Sequence, residues 1–380
     1  MFWCLKEGCN VVYGKNGACI YNLNNSKVYS MDIDESKMLY DIEHGKSIFE
    51  IKECYDCKLV DSVIKKLECA EILMTSSQFY PKEIFRDGKC MVSRLEKQYR
   101  LSTCYLELGF TCNNGCSYCS ANRLFGCYSC KTTVSKNCFN FGFYITVIDA
   151  LKELGCKNFI LYGGDLITNF IHVKSIIDYL KPDAQVGIII SIDNPLDNGI
   201  DNYLNQNNII KFINVDYNKR ELYTYSADYK TFYNFNVKLN DEREELKELT
   251  KFDKKAIKYN ISYYADKYEK ISYSKFPQIK LTSKSFTMVD DINLCLYGKI
   301  VIKSDKKVYP CVNSFKPIGS INENIRSNLE KSFKLLFEYW EGTYKNHLNC
   351  SSCKYKKSCR NCITFYENFG CDKKKNCLDM

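Results

Sequence analysis

The stretch CYLELGFTCNNGCSYCSAN, residues 104 to 122, constrains this chain more than any other, because an apolar, strand-like run opens into Cys112, Cys116 and Cys119. Three thiolates spaced C-x3-C-x2-C can hold three irons of a [4Fe-4S] cluster, and no fourth cysteine stands at tetrahedral spacing in the same loop. The fourth iron is then open to a ligand. Two plainer readings stay open at this point. The cysteines can be half of a zinc site, although zinc favours C-x2-C pairs, or buried thiols in a cysteine-rich chain.

With Tyr118 just before the third cysteine, the spacing resembles the radical SAM superfamily. The resemblance implies that the open iron chelates S-adenosylmethionine, with Tyr118 among the cofactor-binding residues. One electron then cleaves the cofactor to methionine and a 5'-deoxyadenosyl radical, chemistry that side chains alone do not perform.

A length of 380 residues suggests two or three domains, and 45% hydrophobic against 26% charged residues places the chain among ordinary globular proteins. Its 23 cysteines would suggest disulfides in a secreted protein. The start, MFWCLKEGCNVVYG, lacks the basic and long apolar regions of a signal peptide, and no run approaches the roughly 18 apolar residues of a membrane span. The cysteines are therefore expected to be reduced, cytoplasmic thiols and ligands. The net charge of +9 is interspersed with acidic residues rather than gathered into a patch. Neither nucleic acid nor membrane is expected as a partner, whereas an acidic peptide is compatible.

Residues 1–95 read as a first unit. CNVVYGKNGACIYNL and SKVYSMD, broken by Gly14, Gly17 and Asn24-Asn25, predict a small antiparallel sheet. Asp34 is expected to cap a helix over SKMLYDIEHG, with Met38, Leu39 and Ile42 on one face and Gly45 ending it. DSVIKKLECAEIL predicts a second helix placing Val63, Leu67 and Ile72 together. Strands followed by helices resemble the winged-helix domain that binds leader peptides in enzymes maturing ribosomally made peptides. The resemblance implies that a leader adds a strand to a sheet edge near Lys27 to Met31. Cys54 and Cys57, a lone C-x2-C pair, read as incidental loop thiols, and Cys4, Cys9, Cys19, Cys69 and Cys90 have no interpretable spacing.

Over 100–290 strands alternate with helices: FYITVIDALKELG and KSIIDYLKP read as helices, KNFILYGGD, VGIIISID, KFINVDY and AIKYNISYY as strands. Such alternation predicts parallel βα units, and in the radical SAM family it implies an α/β fold, a partial (βα)6 TIM-like barrel with its chemistry at the carboxyl ends of the strands. Gly163-Gly164-Asp165 stands at one such end and resembles the family's GGE motif, which holds the amino group of S-adenosylmethionine. Here Asp replaces Glu, and Leu166 stands where Pro is usual. Ser191 and Asp193, ending the next strand, are placed to touch ribose or carboxylate. Cys127, Cys130, Cys138 and Cys156 lie around this core as bystander thiols.

Residues 291–380 carry eight cysteines. NLCLYGKIVIKSDKKVYPC sets Cys295 and Cys311 at the ends of a hairpin-like segment, and SFKLLFEYWEGTYKNHLN reads as an amphipathic helix. Cys350, Cys353, Cys359 and Cys362 follow as C-x2-C-x5-C-x2-C, then Cys371 and Cys377, enough for two Cys4 clusters or for a zinc ribbon with two sites. The segment resembles the SPASM extension of radical SAM peptide maturases, and its wording is closest to the grasp-with-spasm type. That implies two auxiliary [4Fe-4S] clusters: Cys295, Cys311 and Cys362 on the first, Cys350, Cys353 and Cys359 on the second, with Cys377 completing the second and Cys371 completing the first or leaving its iron open. Lys306 stands where the family's hairpin glycine is common, and Cys359 and Cys362 are separated by two residues rather than three.

These resemblances imply an oxidoreductase that modifies a leader-bearing precursor peptide, with a flavodoxin- or ferredoxin-type electron donor and an ATP-grasp partner enzyme. An oxidative thioether or other crosslink is the leading outcome. The alternatives are a peptide epimerase, a side-chain oxidase of the sulfatase-maturase kind, and a zinc-binding scaffold that only recruits peptides. His44, His172 and His347 are assigned no role.

Overall fold

The computed structural model describes residues 1–80, 100–120, 122–125, 128–133, 139–194, 196–238, 256–265, 281–346 and 348–359. Near the start, β1 (Phe2–Leu5) precedes β2 (Cys9–Gly14), β3 (Gly17–Asn22) and β4 (Lys27–Met31), and the last three form the expected antiparallel sheet in the order β2-β3-β4. Helix α1 (Ile33–Glu43) follows, with Met38, Leu39 and Ile42 buried. Its cap is Asp32 rather than Asp34. The Asp32 carboxylate accepts from Glu35 N at 2.8 Å and the Glu35 carboxylate from Asp32 N at 2.9 Å, a reciprocal arrangement that needs a Glu three residues on. Only Asp32 has one. Asp34 instead lies in the first turn, where its charge suits the helix dipole.

A helix that sequence periodicity does not announce, α2 (Ile48–Cys54), is capped by Ser47 and Glu50 in the same way. Helix α3 (Cys57–Cys69) starts before the predicted segment because Asp56 caps it, and Ile72 falls beyond its end yet stays buried. β5 (Leu73–Ser76) then pairs antiparallel with β1. Ala18, Ile20 and Met31 of the sheet meet Leu39, Val63 and Leu67 of the helices in one apolar core.

Beyond residue 100 the chain builds a mixed α/β fold on a large, mostly parallel sheet. Its strands are β6 (Thr103–Glu107), β7 (Asn122–Phe125), β8 (Asn158–Tyr162), β9 (Gln185–Ser191), β10 (Ile210–Asp216), β11 (Thr231–Lys238), β12 (Lys258–Ala265), β13 (Lys299–Ile302), β14 (Lys307–Tyr309) and β15 (Gly319–Ser320). They lie in the order β15-β14-β13-β6-β8-β9-β10-β11-β12-β7, and the seven from β13 to β12 run parallel. β11, with sequence TFYNFNVK, is absent from the sequence reading, because its asparagines mimic loop composition.

Successive residues of each strand alternate faces. Leu106, Leu161, Ile188 and Ile190 join the helices Phe141–Glu153 and Phe170–Leu180 through Val147, Leu151, Val173 and Ile177, each fully buried side chain contributing about 1.5–3 kcal/mol. Tyr105, Tyr162, Ile189 and Phe212 point to the opposite face. Toward the strand ends that face turns polar, with Glu107, Ser191, Asn214, Asp216, Asn234 and Ser262 all buried.

The hairpin β13–β14 extends this same sheet, since β13 pairs in parallel with β6. Lys306, in the hairpin turn, has φ of 59°, the conformation for which glycine is favoured. The helix Ile325–Trp340 begins before the predicted amphipathic run and ends at Trp340, which is fully buried and donates from Nε1 to Lys299 O at 3.3 Å. The tail reaches back to the first sheet: Tyr21 OH donates to Lys354 O at 2.7 Å, and Lys354 Nζ donates to Met31 O at 2.8 Å and Asn16 O at 3.1 Å. Among the described residues no helix is long and apolar enough to cross a membrane.

Candidate active site

The loop after β6 carries Cys112, Cys116 and Cys119, the last in the short helix Ser117–Ser120. Three contacts tie it to three different strand ends. Ser117 Oγ donates to Asp216 Oδ2 at 2.5 Å, at the end of β10, and lies 3.4 Å from Tyr264 OH on β12. Tyr118 is fully buried with its hydroxyl 3.4 Å from Ser191 Oγ, at the end of β9. Asn114 also donates to Asn194. A loop this short can touch β9, β10 and β12 together only if the sheet curls around it.

The loop is also fixed to the end of β8, and here the two glycines matter. Phe110 N donates to Gly163 O at 3.1 Å, Gly164 N to Cys130 O at 2.8 Å, and Asp165 N to Thr111 O at 3.3 Å. Gly163 and Gly164 have φ of 105° and 82°, and a Cβ on Gly164 would stand 1.8 Å from Phe110 O. The absence of side chains thus admits the backbone of the cysteine loop. The Asp165 carboxylate turns back on its own chain, accepting from Ile167 N and Thr168 N at 3.0 Å each and from Thr168 Oγ1 at 2.6 Å.

Cys116 Sγ lies 3.6 Å from Ser191 Oγ and 3.7 Å from Asp193 Oδ2, so the structure brings these three expected residues together. Tyr223, which sequence reading missed, donates to Asp193, and that hydrogen bond, followed by burial, pushes its phenol up to about 12. Burial raises the Tyr118 phenol far beyond its ordinary range, the charges of Cys130 and Cys116 adding to it, so it stays neutral. The Cys112 thiol is also pushed up, first by burial and then by the negative charges of Asp165, Cys116 and Cys119, against a lowering contribution from the Asn114 backbone. Ser117, Asp216 and Tyr264 were likewise missed. Asp216 at the end of KFINVDY offered the same signal that singled out Asp193.

Among the described residues no three Cys, His, Asp or Glu side chains are gathered as tightly as a metal would hold them. The donor set nevertheless fits an iron-sulfur cluster: three soft thiols with no histidine, of which Cys112 is pushed up by burial and by the negative charges of Asp165, Cys116 and Cys119, an effect that a positive centre would offset. In the tail, Cys311 is buried and Cys295, Cys350, Cys353 and Cys359 are half-buried. Cys353 N donates to Cys350 O at 3.2 Å. Burial raises the Cys353 thiol while Lys356 and Lys354 draw it down. Cys362, Cys371, Cys377, Cys90, Cys127, Cys138 and His347 lie outside the described residues.

One buried carboxylate escaped sequence reading altogether. Glu107 Oε1, at the end of β6, accepts from Thr133 N at 2.6 Å, Thr133 Oγ1 at 2.8 Å, Thr132 Oγ1 at 3.0 Å and Ser304 Oγ at 2.5 Å. It thereby joins β6 to the β13–β14 hairpin.

The fold and loop describe an α/β protein that presents three cysteines at the carboxyl ends of parallel strands. Solved structures similar to the chain include proteins bound to S-adenosylmethionine and one bound to a precursor peptide. SuiB of Streptococcus suis bound to S-adenosylmethionine is 14% identical over 97% of each chain, with a TM-score of 0.41. SuiB bound to its precursor peptide SuiA is 13% identical over 97% of each chain, with a TM-score of 0.43. A third, anSMEcpe with bound AdoMet, is 15% identical over 70% of this chain and 87% of that one, with a TM-score of 0.45. No protein-family model matches the chain, and no curated protein matches it.

Proposed function

We propose that this protein is a cytoplasmic radical SAM enzyme that modifies a ribosomally made peptide, most directly by forming an oxidative thioether or other crosslink. The observation that carries the reading is the anchoring of the three-cysteine loop at the ends of β8, β9, β10 and β12, with Cys116 facing Ser191 and Asp193. Cys112, Cys116 and Cys119 would hold the cluster, and Tyr118, Gly163, Gly164, Asp165, Ser191 and Asp193 would surround the cofactor. When bound, that pair supplies one-electron cleavage of a sulfonium and hydrogen-atom abstraction from carbon.

The chain's own residues do the rest. Asp193, held by Tyr223, keeps a carboxylate beside Cys116. Tyr118, kept neutral by burial, and Tyr264 present their rings at the strand ends, where water must be kept from a reactive carbon. In the same reading residues 1–95 are a winged-helix leader-binding domain, 100–290 a partial (βα)6 barrel, and 291–380 a SPASM domain whose eight cysteines hold two auxiliary clusters able to take up the second electron. A leader would pair with the outer edge of β4. Lys66 already holds Ser30 O at 3.0 Å and Lys354 holds Met31 O, so pairing is expected along Lys27 to Tyr29. A flavodoxin- or ferredoxin-type donor supplies electrons, and an ATP-grasp enzyme acts on the same peptide.

The test is anaerobic co-expression with the short peptide encoded beside the gene, followed by the peptide's mass. Loss of two hydrogen atoms, absent with Cys116→Ala, is the expected result. An unchanged mass together with no deuterium uptake would remove both crosslinking and epimerisation.

A further inference from the structure

The tail segment that carries Cys350, Cys353 and Cys359 is bonded to the same sheet whose edge would take a leader. Cys353 stands between Ser352 and Lys354, and both neighbours bond to the first sheet. Lys15 N donates to Ser352 O at 2.9 Å, and Lys354 Nζ donates to Asn16 O at 3.1 Å and Met31 O at 2.8 Å. A Cβ on Gly14 would stand 2.5 Å from Lys354 N, so a glycine in β2 admits this backbone. Tyr355 OH donates to Ser30 Oγ at 2.9 Å, and the ring packs with Cys19 and Tyr21 on the sheet face turned away from the helices. Strand β4 is therefore held at both ends. Ser30 and Met31 meet Tyr355 and Lys354 directly. Just before β4, Ser26 Oγ donates to Leu281 O at 2.6 Å, and the helix that follows Leu281, Ser283–Met288, is tied to the tail by Lys357 Nζ donating to Phe286 O at 3.1 Å. Between these two holds β4 is an edge strand among the described residues.

The segment that does the holding has little regular structure. Between Glu341 and Cys359 the described residues form one 3-10 turn, Tyr344–Asn346, and one helical turn, Leu348–Ser351. Backbone bonds such as Cys353 N to Cys350 O at 3.2 Å and Cys359 N to Tyr355 O at 3.1 Å close single turns only. Turns this short are marginal by themselves. A metal group bound by their cysteines orders them, because its binding free energy becomes folding free energy. Whatever orders Cys350, Cys353 and Cys359 therefore also orders Lys354 and Tyr355, and through them the end of β4. Strand addition needs a row of backbone groups already in line, and an edge fixed at both ends loses less conformational entropy when a peptide pairs with it.

We propose that loading of the tail cluster at Cys350, Cys353 and Cys359 and capture of the leader at β4 strengthen each other through Lys354 and Tyr355, so that a chain still lacking this cluster holds its precursor peptide weakly. This rests on the leader-binding and SPASM readings above. The test uses the full chain, anaerobically reconstituted, and titrates it by fluorescence anisotropy against a labelled copy of the peptide encoded beside the gene. Replacing both tail cysteines, Cys350→Ala with Cys353→Ala, is expected to weaken peptide binding about tenfold or more. Lys354→Met is expected to bring a comparable loss with iron content unchanged. Tyr355→Phe, which deletes a single hydroxyl, is expected to lose less, and it replaces the Lys354 variant should that one not fold. Equal peptide affinity with and without the tail cysteines, or wild-type affinity in the Lys354 and Tyr355 variants with their iron retained, would overturn the coupling while sparing the proposed function. A wild-type protein that carries iron and forms 5'-deoxyadenosine yet binds no peptide would overturn the leader-binding reading and the coupling together.

Discussion

Gly164→Ala tests the junction on which the site depends. The added Cβ would stand 1.8 Å from Phe110 O and 2.5 Å from Phe110 C, and both obstacles are backbone. The two segments would have to part by about 1.6 Å or more to regain ordinary van der Waals contact. That separation strains three hydrogen bonds, Phe110 N to Gly163 O, Gly164 N to Cys130 O and Asp165 N to Thr111 O. An alanine at φ of 82° adds roughly 1–2 kcal/mol of its own. Together with overpacking of about 1–3 kcal/mol and the weakened hydrogen bonds, the loss is about 3–6 kcal/mol, a large part of the roughly 5–15 kcal/mol of a folded domain. Urea unfolding by circular dichroism reads this directly, and iron content after anaerobic reconstitution reads the displaced loop. Gly115→Ala is the control, since nothing lies within 4 Å of its added Cβ. A Gly164→Ala protein within about 0.5 kcal/mol of wild type, with full iron content, would refute the reasoning.

Other perturbations separate the contributions further. Ser117→Ala removes the 2.5 Å tether to Asp216 and should speed amide hydrogen exchange across the cysteine loop while leaving the first sheet unchanged. Lys354→Met leaves the carbonyls of Met31 and Asn16 without their charged donor and should lower the unfolding free energy by about 1–3 kcal/mol, read from the urea midpoint. Asp178 is held well below the usual carboxylate range, chiefly by hydrogen bonds from Lys174 and then Lys181. Its folded value being the lower one, its stabilisation is present above the ordinary carboxylate value of about 3.9 and is lost as pH falls toward the folded value. The gap in melting temperature between wild type and Asp178→Asn should therefore hold from pH 6 to about 4 and narrow as pH drops below about 4; a gap independent of pH there would remove this assignment.

What the sequence reveals here depends on whether a signal is local. The three-cysteine loop, the strand ends at Gly163 and Ser191, and the antiparallel sheet at the start are legible because spacing, β-branched runs and turn residues lie within short windows. The capping box of α1 was legible too, had Glu35 been used to choose between Asp32 and Asp34. β11 was not, because its asparagines gain their meaning only from Asn214 and Ser262 on neighbouring strands. Glu107 illustrates the same limit: its partners Thr133 and Ser304 are far apart in the chain, and no local pattern pairs them. The close approach of Gly164 to Phe110 is likewise invisible in the sequence, because Phe110 lies on a different strand-to-loop segment.

The measurement that bears most directly on the account is 5'-deoxyadenosine formed from S-adenosylmethionine by the anaerobically reconstituted, dithionite-reduced protein. Cleavage by wild type is the expected result, lost in Cys116→Ala with the fold retained. A wild-type protein that binds zinc in place of iron and forms no 5'-deoxyadenosine, or cleavage that survives Cys116→Ala, would contradict it.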